Sequence, residues 1–249
     1  MLPAIKLQVF YKKKARNSIE VFNFDNLKHK MIQTVIFDMD GVIVDTEPVH
    51  KYAYQQHFRQ LGIEVSPEMY ATFTGNSTRN IYQKIVKHFN LDANVENLVL
   101  VKRDFFNEAF DIKEDLYLLE GVEKLILELH EKGMQLILAS SSSEVTINRI
   151  FTRFGLDKYF VHKISGESFE NSKPHPAIFL KAVELSGHQK ENCIVIEDST
   201  NGIKASHAAG VYCIGYNSFN SKLQDLSLAN EVIQHFDELN FDIIKHIND

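Results

Sequence analysis

From Leu118 onward the sequence alternates between short apolar runs and amphipathic segments, and this alternation constrains the fold more than any other feature. Apolar runs predict buried strands, and apolar residues that recur every three to four positions predict helices. The runs predict strands over 135–139, 161–164, 193–196 and 211–216, with helices over 122–132, 144–154, 176–186 and 201–209 between them. Strands that alternate with helices form a parallel sheet with helices on its faces. The sequence therefore predicts an α/β fold with a Rossmann-like open parallel sheet as its core.

One long segment interrupts the alternation. A first strand is predicted over 31–38, but the apolar positions of residues 48–112 recur at helical spacing without an intervening strand. This pattern predicts an inserted, small α-helical cap domain. We therefore expect residues 31–46 and 116–249 to form the catalytic core and residues 47–115 to form the cap.

The charge is unevenly distributed along the chain. Residues 1–30 hold seven lysines and arginines against two acids, a net charge of +5, so the remainder carries −11 of the total of −6. Such an acidic body argues against binding of nucleic acid. Because Met31 stands directly before the first predicted strand, we expect residues 1–30 to be a basic N-terminal extension with no catalytic part.

Hydropathy and cysteine usage narrow the class of protein further. No apolar run approaches the roughly 18 residues of a transmembrane helix, so no membrane association is expected. The two cysteines, Cys193 and Cys213, lie in separate apolar runs and are predicted to be buried, reduced thiols. These features favour a cytoplasmic protein, for which we expect a monomer or a weak homo-oligomer.

The first predicted strand leads directly into two aspartates, Asp38 and Asp40, and then into Gly41. Alternate residues of a strand point to the same face, so the two carboxylates are expected to lie close together. Like charges at that distance raise each other's pKa unless a cation lies between them, which is typical of a metal site or a proton-transfer site. Taken alone, the pair is also compatible with an acidic turn.

Three other predicted strand ends carry polar residues. Ser140 and Ser141 follow one strand, where their hydroxyls could hold an anion or only cap the next helix. Lys173 lies in a loop before a helix, and Glu197 and Asp198 follow a buried strand, as the ligands of a hard cation such as Mg²⁺ do. Each of these features could alone be a solvated turn.

Taken together, the four features indicate a binding site, because ligands of an open α/β sheet bind outside the carboxyl ends of its strands. Phosphoryl transfer uses the groups found here, which are two carboxylates, hydroxyls, one ammonium group and a second acidic pair. The combination therefore predicts a phosphoryl-transfer site at this edge of the sheet.

In these motifs the sequence resembles the haloacid dehalogenase superfamily, in the branch that carries a helical cap. The resemblance is strongest to the group of β-phosphoglucomutases and sugar-phosphate phosphatases. It extends from about residue 31 to the C-terminus. Its four motifs occur in order, as Asp38-Met39-Asp40-Gly41-Val42, Ser140, Lys173-Pro174 and Glu197-Asp198.

The resemblance implies a role for each motif residue. Asp38 would be the nucleophile that forms an aspartyl-phosphate, and Asp40 would be the general acid and base. Mg²⁺ would be the cofactor, bound by Asp38, Asp198 and the carbonyl of Asp40, with Glu197 either as a further ligand or as a residue that supports the ligands. Ser140, Ser141 and Lys173 would hold the transferring phosphoryl group.

Four further residues near the expected cap are candidates for the site, and two of them, Thr46 and His50, match positions of these proteins. Thr46 and His50 lie close to the expected hinge, and His50 is a candidate for proton relay, although a single helical histidine is more often a surface residue. Gly75 and Arg79 lie in the cap loop over 73–79 and are candidates for substrate contact.

The same loop bears on the choice between hydrolysis and mutase activity. Thr74 stands where the mutases have a lysine, and Arg79 is displaced by one position from their arginine. Glu144 follows the serines where a basic residue would be needed for a second phosphate. We therefore expect a Mg²⁺-dependent phosphatase that acts on a small phosphate ester, most simply a sugar phosphate, and the alternative is a β-phosphoglucomutase-type phosphotransferase.

Other readings of the motifs are disfavoured. Dehalogenases of the superfamily lack a carboxylate at the position of Asp40. Phospho-receiver domains carry their phosphate-accepting aspartate on a later strand, whereas the strand over 135–139 ends here in serine. A binding protein on an inactive hydrolase fold would not be expected to keep all the motif residues.

Overall fold

The structure is a computed structural model that describes residues 31–247. The predicted extension over residues 1–30 lies outside the described residues. Six strands form one sheet, and nine α-helices are found among the described residues. The strands are β1 (Thr34–Phe37), β2 (Gln135–Ser140), β3 (His162–Ser165), β4 (Cys193–Glu197), β5 (Tyr212–Tyr216) and β6 (Glu231–Ile233). The helices are α1 (Glu47–Leu61), α2 (Pro67–Ala71), α3 (Thr78–Phe89), α4 (Val95–Ile112), α5 (Val122–Glu131), α6 (Glu144–Phe154), α7 (Ala177–Ser186), α8 (Thr200–Ala209) and α9 (Phe241–Lys245).

The sheet has the strand order β3-β2-β1-β4-β5-β6, and all of its neighbouring strands are parallel. Strand β1 lies between β2 and β4, with Phe37 in register with Leu138 on one side and Ile196 on the other. The chain order reverses on the two sides of β1, so the carboxyl end of β1 opens into the crevice where ligands of such sheets bind. The predicted α/β fold with an open parallel sheet is confirmed.

Side chains of the central strands alternate between two buried layers. Val35 and Phe37 pack into one hydrophobic cluster, whereas Ile36 packs into a second cluster that also contains both cysteines. Because both faces of the sheet are covered by helices, the central strands are apolar throughout rather than alternating with polar residues. Cys193 and Cys213 are buried free thiols, as predicted.

Helices α1 to α4 all lie between β1 and β2 in the chain. They enclose a third hydrophobic cluster, rich in aromatic rings, that includes Tyr54, Phe58, Phe73 and Tyr82. These helices occupy the segment predicted to form the cap, and the boundaries at residues 47 and 115 stay a prediction. Among residues 31–247, no helix is both long and apolar enough to cross a membrane.

Candidate active site

The carboxyl end of β1 delivers Asp38 into the centre of a buried ionic cluster. Lys173 lies 2.6 Å from Oδ1 of Asp38 and 2.8 Å from Oε1 of Glu197, and its Nζ also donates to the carbonyl of Ala139 at 3.0 Å. The Lys173 side chain is fully buried, which no local pattern in the sequence indicates. The structure thus brings together residues from three motifs that are up to 159 positions apart in the chain.

Glu197 organises the loop that follows β4. Its Oε2 accepts hydrogen bonds from the backbone N–H groups of Asp198 and Ser199, both at 2.9 Å, and from the Ser199 hydroxyl at 3.0 Å. With Lys173 on its other oxygen, Glu197 is fully occupied by donors within the protein. This arrangement suits Glu197 to orient the loop and Lys173 rather than to bind a cation directly.

Asp198 has the opposite character. Its Oδ1 is buried and has no hydrogen-bond partner among the residues that the structure describes. Oxygens of Asp38, Glu197 and Asp198 all lie within 4.8 Å of one another. Buried polar atoms are normally paired, so an unpaired carboxylate oxygen beside two other carboxylates fits the ligand set of a hard divalent cation.

The electrostatics of the cluster agree with this assignment. Burial raises the pKa of Asp38 to about 8, with Lys173 opposing the shift and the carboxylates of Glu197 and Asp40 adding to it. Burial and the charges of Glu197 and Asp38 likewise raise the pKa of Asp198 well above its usual range. A divalent cation between these carboxylates would offset the repulsion.

The carboxylate of Asp40 contacts residues outside the cluster of Asp38, Lys173 and Glu197. Its carboxylate accepts hydrogen bonds from Thr46 and, at 2.7 Å, from Ser142, and Nε2 of His50 lies at 3.4 Å. Burial alone would raise the pKa of Asp40, but the hydrogen bond and charge of His50, with the hydroxyls of Thr46 and Ser142, lower it to about 2. The side chain of Asp40 is therefore not part of the carboxylate cluster, and its predicted contact with the metal through the backbone carbonyl stays a prediction.

The serines at the end of β2 and just after it contact Asp40 and the cap loop. Ser140 is fully buried, with its hydroxyl 3.4 Å from Asp40 and accepting from the backbone N–H of Ser142 at 3.0 Å. Ser141 donates instead to the carbonyl of Gly75 at 2.8 Å, so it joins the core to the cap loop. Ser142, which was not predicted, is the serine in close contact with Asp40.

Glycines allow two close approaches at the site. A Cβ atom on Gly41 would lie 2.2 Å from Oδ2 of Asp198, and one on Gly75 would lie 2.3 Å from the Ser199 hydroxyl. Both residues also have positive φ, at +86° and +76°, which favours glycine. The predicted position of Gly75 at the site therefore agrees with its placement on the cavity wall.

Arg79 does not reach the site. Its guanidinium forms a two-pronged ion pair with Glu96, with distances of 2.8 and 2.9 Å, on the exposed surface between α3 and α4. In the described conformation its side chain does not line the cavity, so its predicted contact with substrate stays a prediction. Arg79 lies in the first turn of α3, and its side chain is directed towards Glu96 of α4.

Lys102 is a site residue that the sequence analysis missed. Its Nζ lies 2.7 Å from Nδ1 of His50, on the side opposite Asp40, and the ammonium group packs over the ring of Tyr54 at 4.6 Å. Burial lowers the pKa of Lys102 to about 7. Its position was visible in the sequence, because Leu98, Lys102 and Phe106 fall four residues apart on one helical face and a lysine interrupts that apolar row.

A cavity of about 720 Å³ opens above Asp38 between the sheet edge and helices α1 to α3. Asp38, Asp40, His50, Gly75 and Asp198 line it. Ser140, Thr46, Lys173 and Glu197 lie behind this first layer and are fully buried. The site is thus a buried carboxylate at the floor of a cavity, with a candidate cation position beside it.

Residues 35–216 match the family model of the haloacid dehalogenase-like hydrolases. The chain belongs to this family, and it is a phosphohydrolase. This membership confirms the resemblance that the four motifs predicted.

Individual relatives share the same region. Over 189 residues the chain is 31% identical to the protein Suppressor of quenching 1, chloroplastic, from Arabidopsis thaliana, a match that covers 74% of this chain and only 18% of that protein. It is 29% identical to a phosphorylated carbohydrates phosphatase from Thermotoga maritima, covering 72% of this chain and 82% of the relative. Among solved structures, a β-phosphoglucomutase from Clostridium difficile superposes with a TM-score of 0.76 at 26% identity, covering 88% of this chain and 97% of that one.

Proposed function

We propose that the protein is a Mg²⁺-dependent phosphatase that hydrolyses a small phosphorylated metabolite through an aspartyl-phosphate on Asp38. The observation that carries this proposal is the position of Asp38 at the cavity floor. One of its carboxylate oxygens contacts Lys173, and the unpaired oxygen of Asp198 lies beside it. A phosphomonoester that enters the cavity meets a nucleophile, a cation position and an acid–base group together.

In the first step, the second carboxylate oxygen of Asp38 attacks phosphorus, and the bond to the alcohol oxygen breaks. The alcohol leaves with a proton from Asp40, and the phosphoryl group stays on Asp38 as an acyl phosphate. Lys173 supplies a fixed positive charge next to the reacting carboxylate. In the second step, Asp40 removes a proton from water, the water attacks phosphorus, and inorganic phosphate is released while Asp38 regains its carboxylate.

The contacts of Asp40 favour the ionised form that the second step needs, because Thr46, Ser142 and His50 all stabilise negative charge on it. The first step needs the protonated form. Entry of a phosphate dianion would raise the pKa of Asp40 and favour that form, since a like charge nearby disfavours ionisation. His50, which lies between Asp40 and Lys102, is placed to exchange protons with Asp40.

The residues present fit Mg²⁺, since Asp38 and Asp198 offer buried carboxylate oxygens and Asp198 has one oxygen unpaired. When bound, the ion would neutralise negative charge on the phosphoryl oxygens. Asp38 and Asp198 would hold it directly, and Glu197 would hold the loop and Lys173 in place.

The test is phosphate release from p-nitrophenyl phosphate in the presence of Mg²⁺. Asp38→Asn should abolish release, because an amide cannot act as the nucleophile. The matched control is Asp157→Asn, which alters an aspartate that pairs with Lys163 on the surface and should leave the rate unchanged. Full activity in the Asp38→Asn protein would contradict the proposed mechanism.

We propose a phosphatase rather than a mutase because the cap loop offers no cation for a second phosphate. Thr74 lines the cavity where a mutase would carry a lysine, and Arg79 is engaged by Glu96 outside it. A sugar phosphate is the first substrate class to test, with support from the Thermotoga maritima relative, which is named for phosphorylated carbohydrates.

Incubation with β-glucose 1-phosphate and glucose 1,6-bisphosphate separates the two activities. With the bisphosphate present only in a trace amount, we expect phosphate release and no more glucose 6-phosphate than the bisphosphate added. Isomerisation that outruns hydrolysis would favour the mutase.

A cytoplasmic location is also proposed, and the two buried free thiols support it. The expected monomer or weak homo-oligomer stays a prediction.

A further inference from the structure

The cavity above Asp38 is much larger than a phosphate group needs. Its volume of about 720 Å³ falls in the range of pockets that enclose a whole small molecule. Most of it lies away from the carboxylate cluster, between helices α1, α2 and α3. The alcohol part of the substrate must therefore occupy this outer part, and its walls decide which alcohols fit.

The outer walls are mainly apolar. Rings of Tyr54 and Phe73 lie 5.8 Å apart, and those of Tyr70 and Phe73 lie 5.4 Å apart, so three rings face the same space. Phe58, Val65 and Ile81 complete this side of the cavity. Leu223, which is 73% exposed, lines the cavity from the core side. These surfaces gain free energy by contact with an apolar part of a ligand.

The charges on the walls disfavour a second anion. Among the described residues that line the cavity, the one lysine is Lys51, which is exposed, and no arginine is present. Glu47 and Tyr70 both line the wall, and burial raises the pKa of Glu47 to about 7, so its carboxyl group carries a negative charge above that pH. The cations Lys102 and Arg79 are bound to His50 and Glu96 instead. A second phosphate or carboxylate would lose its hydration without gaining a buried cation, which is costly.

We propose that this site selects phosphomonoesters of uncharged alcohols that carry an apolar face, and that Glu47 is a specificity-determining residue that excludes substrates with a second anionic group. The inference rests on the proposed phosphatase function and narrows its substrate class. Glu47 can still accept a hydrogen bond from a substrate hydroxyl, so neutral sugars and polyols with an apolar face remain within this class. Phosphorylated acids and bisphosphates fall outside it.

Two matched pairs of esters test the apolar and the charge requirement separately. 2-Phenylethyl phosphate and ethyl phosphate both release a primary alcohol but differ in apolar area, and we expect kcat/KM to favour the phenylethyl ester by at least about tenfold. Sorbitol 6-phosphate and 6-phosphogluconate are both open-chain esters of a primary alcohol and differ at the far end by a carboxylate, and we expect kcat/KM to favour the neutral polyol by at least about tenfold.

Glu47→Gln tests the residue itself, with Glu64→Gln as the control on an exposed acid of the same cap region that does not line the cavity. In the Glu47 variant the preference for sorbitol 6-phosphate over 6-phosphogluconate should fall several-fold, chiefly through a lower KM for the acid. The control should keep the wild-type ratio. An unchanged ratio in Glu47→Gln would overturn the role of Glu47.

The outcomes separate this inference from the proposed function. If the wild-type protein releases phosphate from these esters but handles the anionic or the small polar member of each pair equally well, the substrate class is wrong and the phosphatase stands. If it releases phosphate from none of them, nor from p-nitrophenyl phosphate with Mg²⁺, the proposed function fails and the substrate class fails with it.

Discussion

Lys173 stabilises two buried carboxylates at the edge of the sheet by pairing its ammonium group with both of them. Both Asp38 and Glu197 contact its ammonium group, and none of the three is accessible enough to be hydrated well. Removal of one partner from a buried ionic group leaves an uncompensated charge, which costs about 3–5 kcal/mol. We expect Lys173→Met to lower the free energy of unfolding by that amount in urea titrations with EDTA present.

The control for this prediction is Lys181→Met. Lys181 pairs with Glu184 at 2.7 Å on the surface of α7, and exposed pairs of this kind contribute about 0–1 kcal/mol. Equal losses of stability in the two variants would mean that Lys173 has no special electrostatic role. The Lys173 variant should also lose at least about 100-fold in kcat, because the reacting carboxylate loses its fixed cation.

Lys102 should affect stability in the opposite direction. Burial lowers its pKa in the folded protein to about 7, against 10.5 for the ordinary side chain. Between these values the unfolded chain binds more protons than the folded one, so the contribution of Lys102 to stability rises with pH across this window. We expect Lys102→Met to be more stable than the wild type by at least about 1 kcal/mol at pH 6 to 7.

This advantage of the Lys102→Met protein should shrink as the pH rises from 7 towards 10, as measured by urea unfolding of both proteins at each pH. Lys51→Met, at an exposed position of α1, serves as the control and should show no such trend. A constant difference between Lys102→Met and the wild type would show that the lysine is not strained by burial. Loss of the contact with His50 should separately lower activity.

At the scale of elements, helix α8 packs closely against Glu197 at the end of β4 because Gly202 has no side chain. A Cβ atom there would lie 1.7 Å from Oε1 of Glu197. In an ordinary helix, replacing glycine by alanine stabilises by about 1 kcal/mol. Here we expect Gly202→Ala to destabilise by about 1–3 kcal/mol, because Glu197 and the Lys173 that it holds must shift.

Thermal unfolding and phosphate release of the Gly202→Ala protein would check this prediction. Lys204→Ala, at an exposed position of the same helix, should change stability by less than about 0.5 kcal/mol. A gain in stability for Gly202→Ala would refute the close packing of α8 on Glu197.

The elements themselves were largely readable from the sequence. Periodicity identified strands β1 to β5 and helices α5 to α8, because burial on one helical face or on both strand faces leaves a regular apolar pattern. The ends differ by one to a few residues: β3 begins at His162 rather than Val161, and β1 is shorter than the predicted 31–38. Such ends depend on hydrogen bonds to neighbouring strands, which no local pattern specifies.

At the scale of the whole molecule, Mg²⁺ binding should be coupled to folding. A ligand that binds the folded state alone stabilises it by about 2.7 kcal/mol at a concentration 100 times its Kd. We expect MgCl₂ to raise the melting temperature of the wild-type protein and to leave that of Asp198→Asn unchanged. The buried carboxylates that Mg²⁺ would join come from β1 and from the loop after β4, so the site exists only when the sheet is formed.

Asp157→Asn is again the control, and it should keep the wild-type shift in melting temperature with MgCl₂. A normal shift in the Asp198→Asn protein would place the cation elsewhere. Because the measurement reports stability, its result does not depend on knowing the substrate.

Three hydrogen bonds join residues 71–75 of the cap segment to the core. Asn201 donates to the carbonyl of Thr74 at 2.7 Å, Ser141 donates to that of Gly75, and Gln224 donates to that of Ala71 at 3.3 Å. Each bond joins residues that are far apart in sequence. These contacts close the cavity over Asp38 in the described conformation.

The fold class, the family and the four motifs could be predicted from the amino-acid sequence, because apolar periodicity and the order of the motifs are visible along the chain. The directions of long side chains and the pairing of buried oxygens were visible only in the folded structure. There Arg79 contacts Glu96, Lys102 is buried against His50, and one oxygen of Asp198 has no partner among the described residues. The physical reason is that burial, desolvation and pairing depend on groups from distant segments, so they are set only when the sheet and the cap helices pack together.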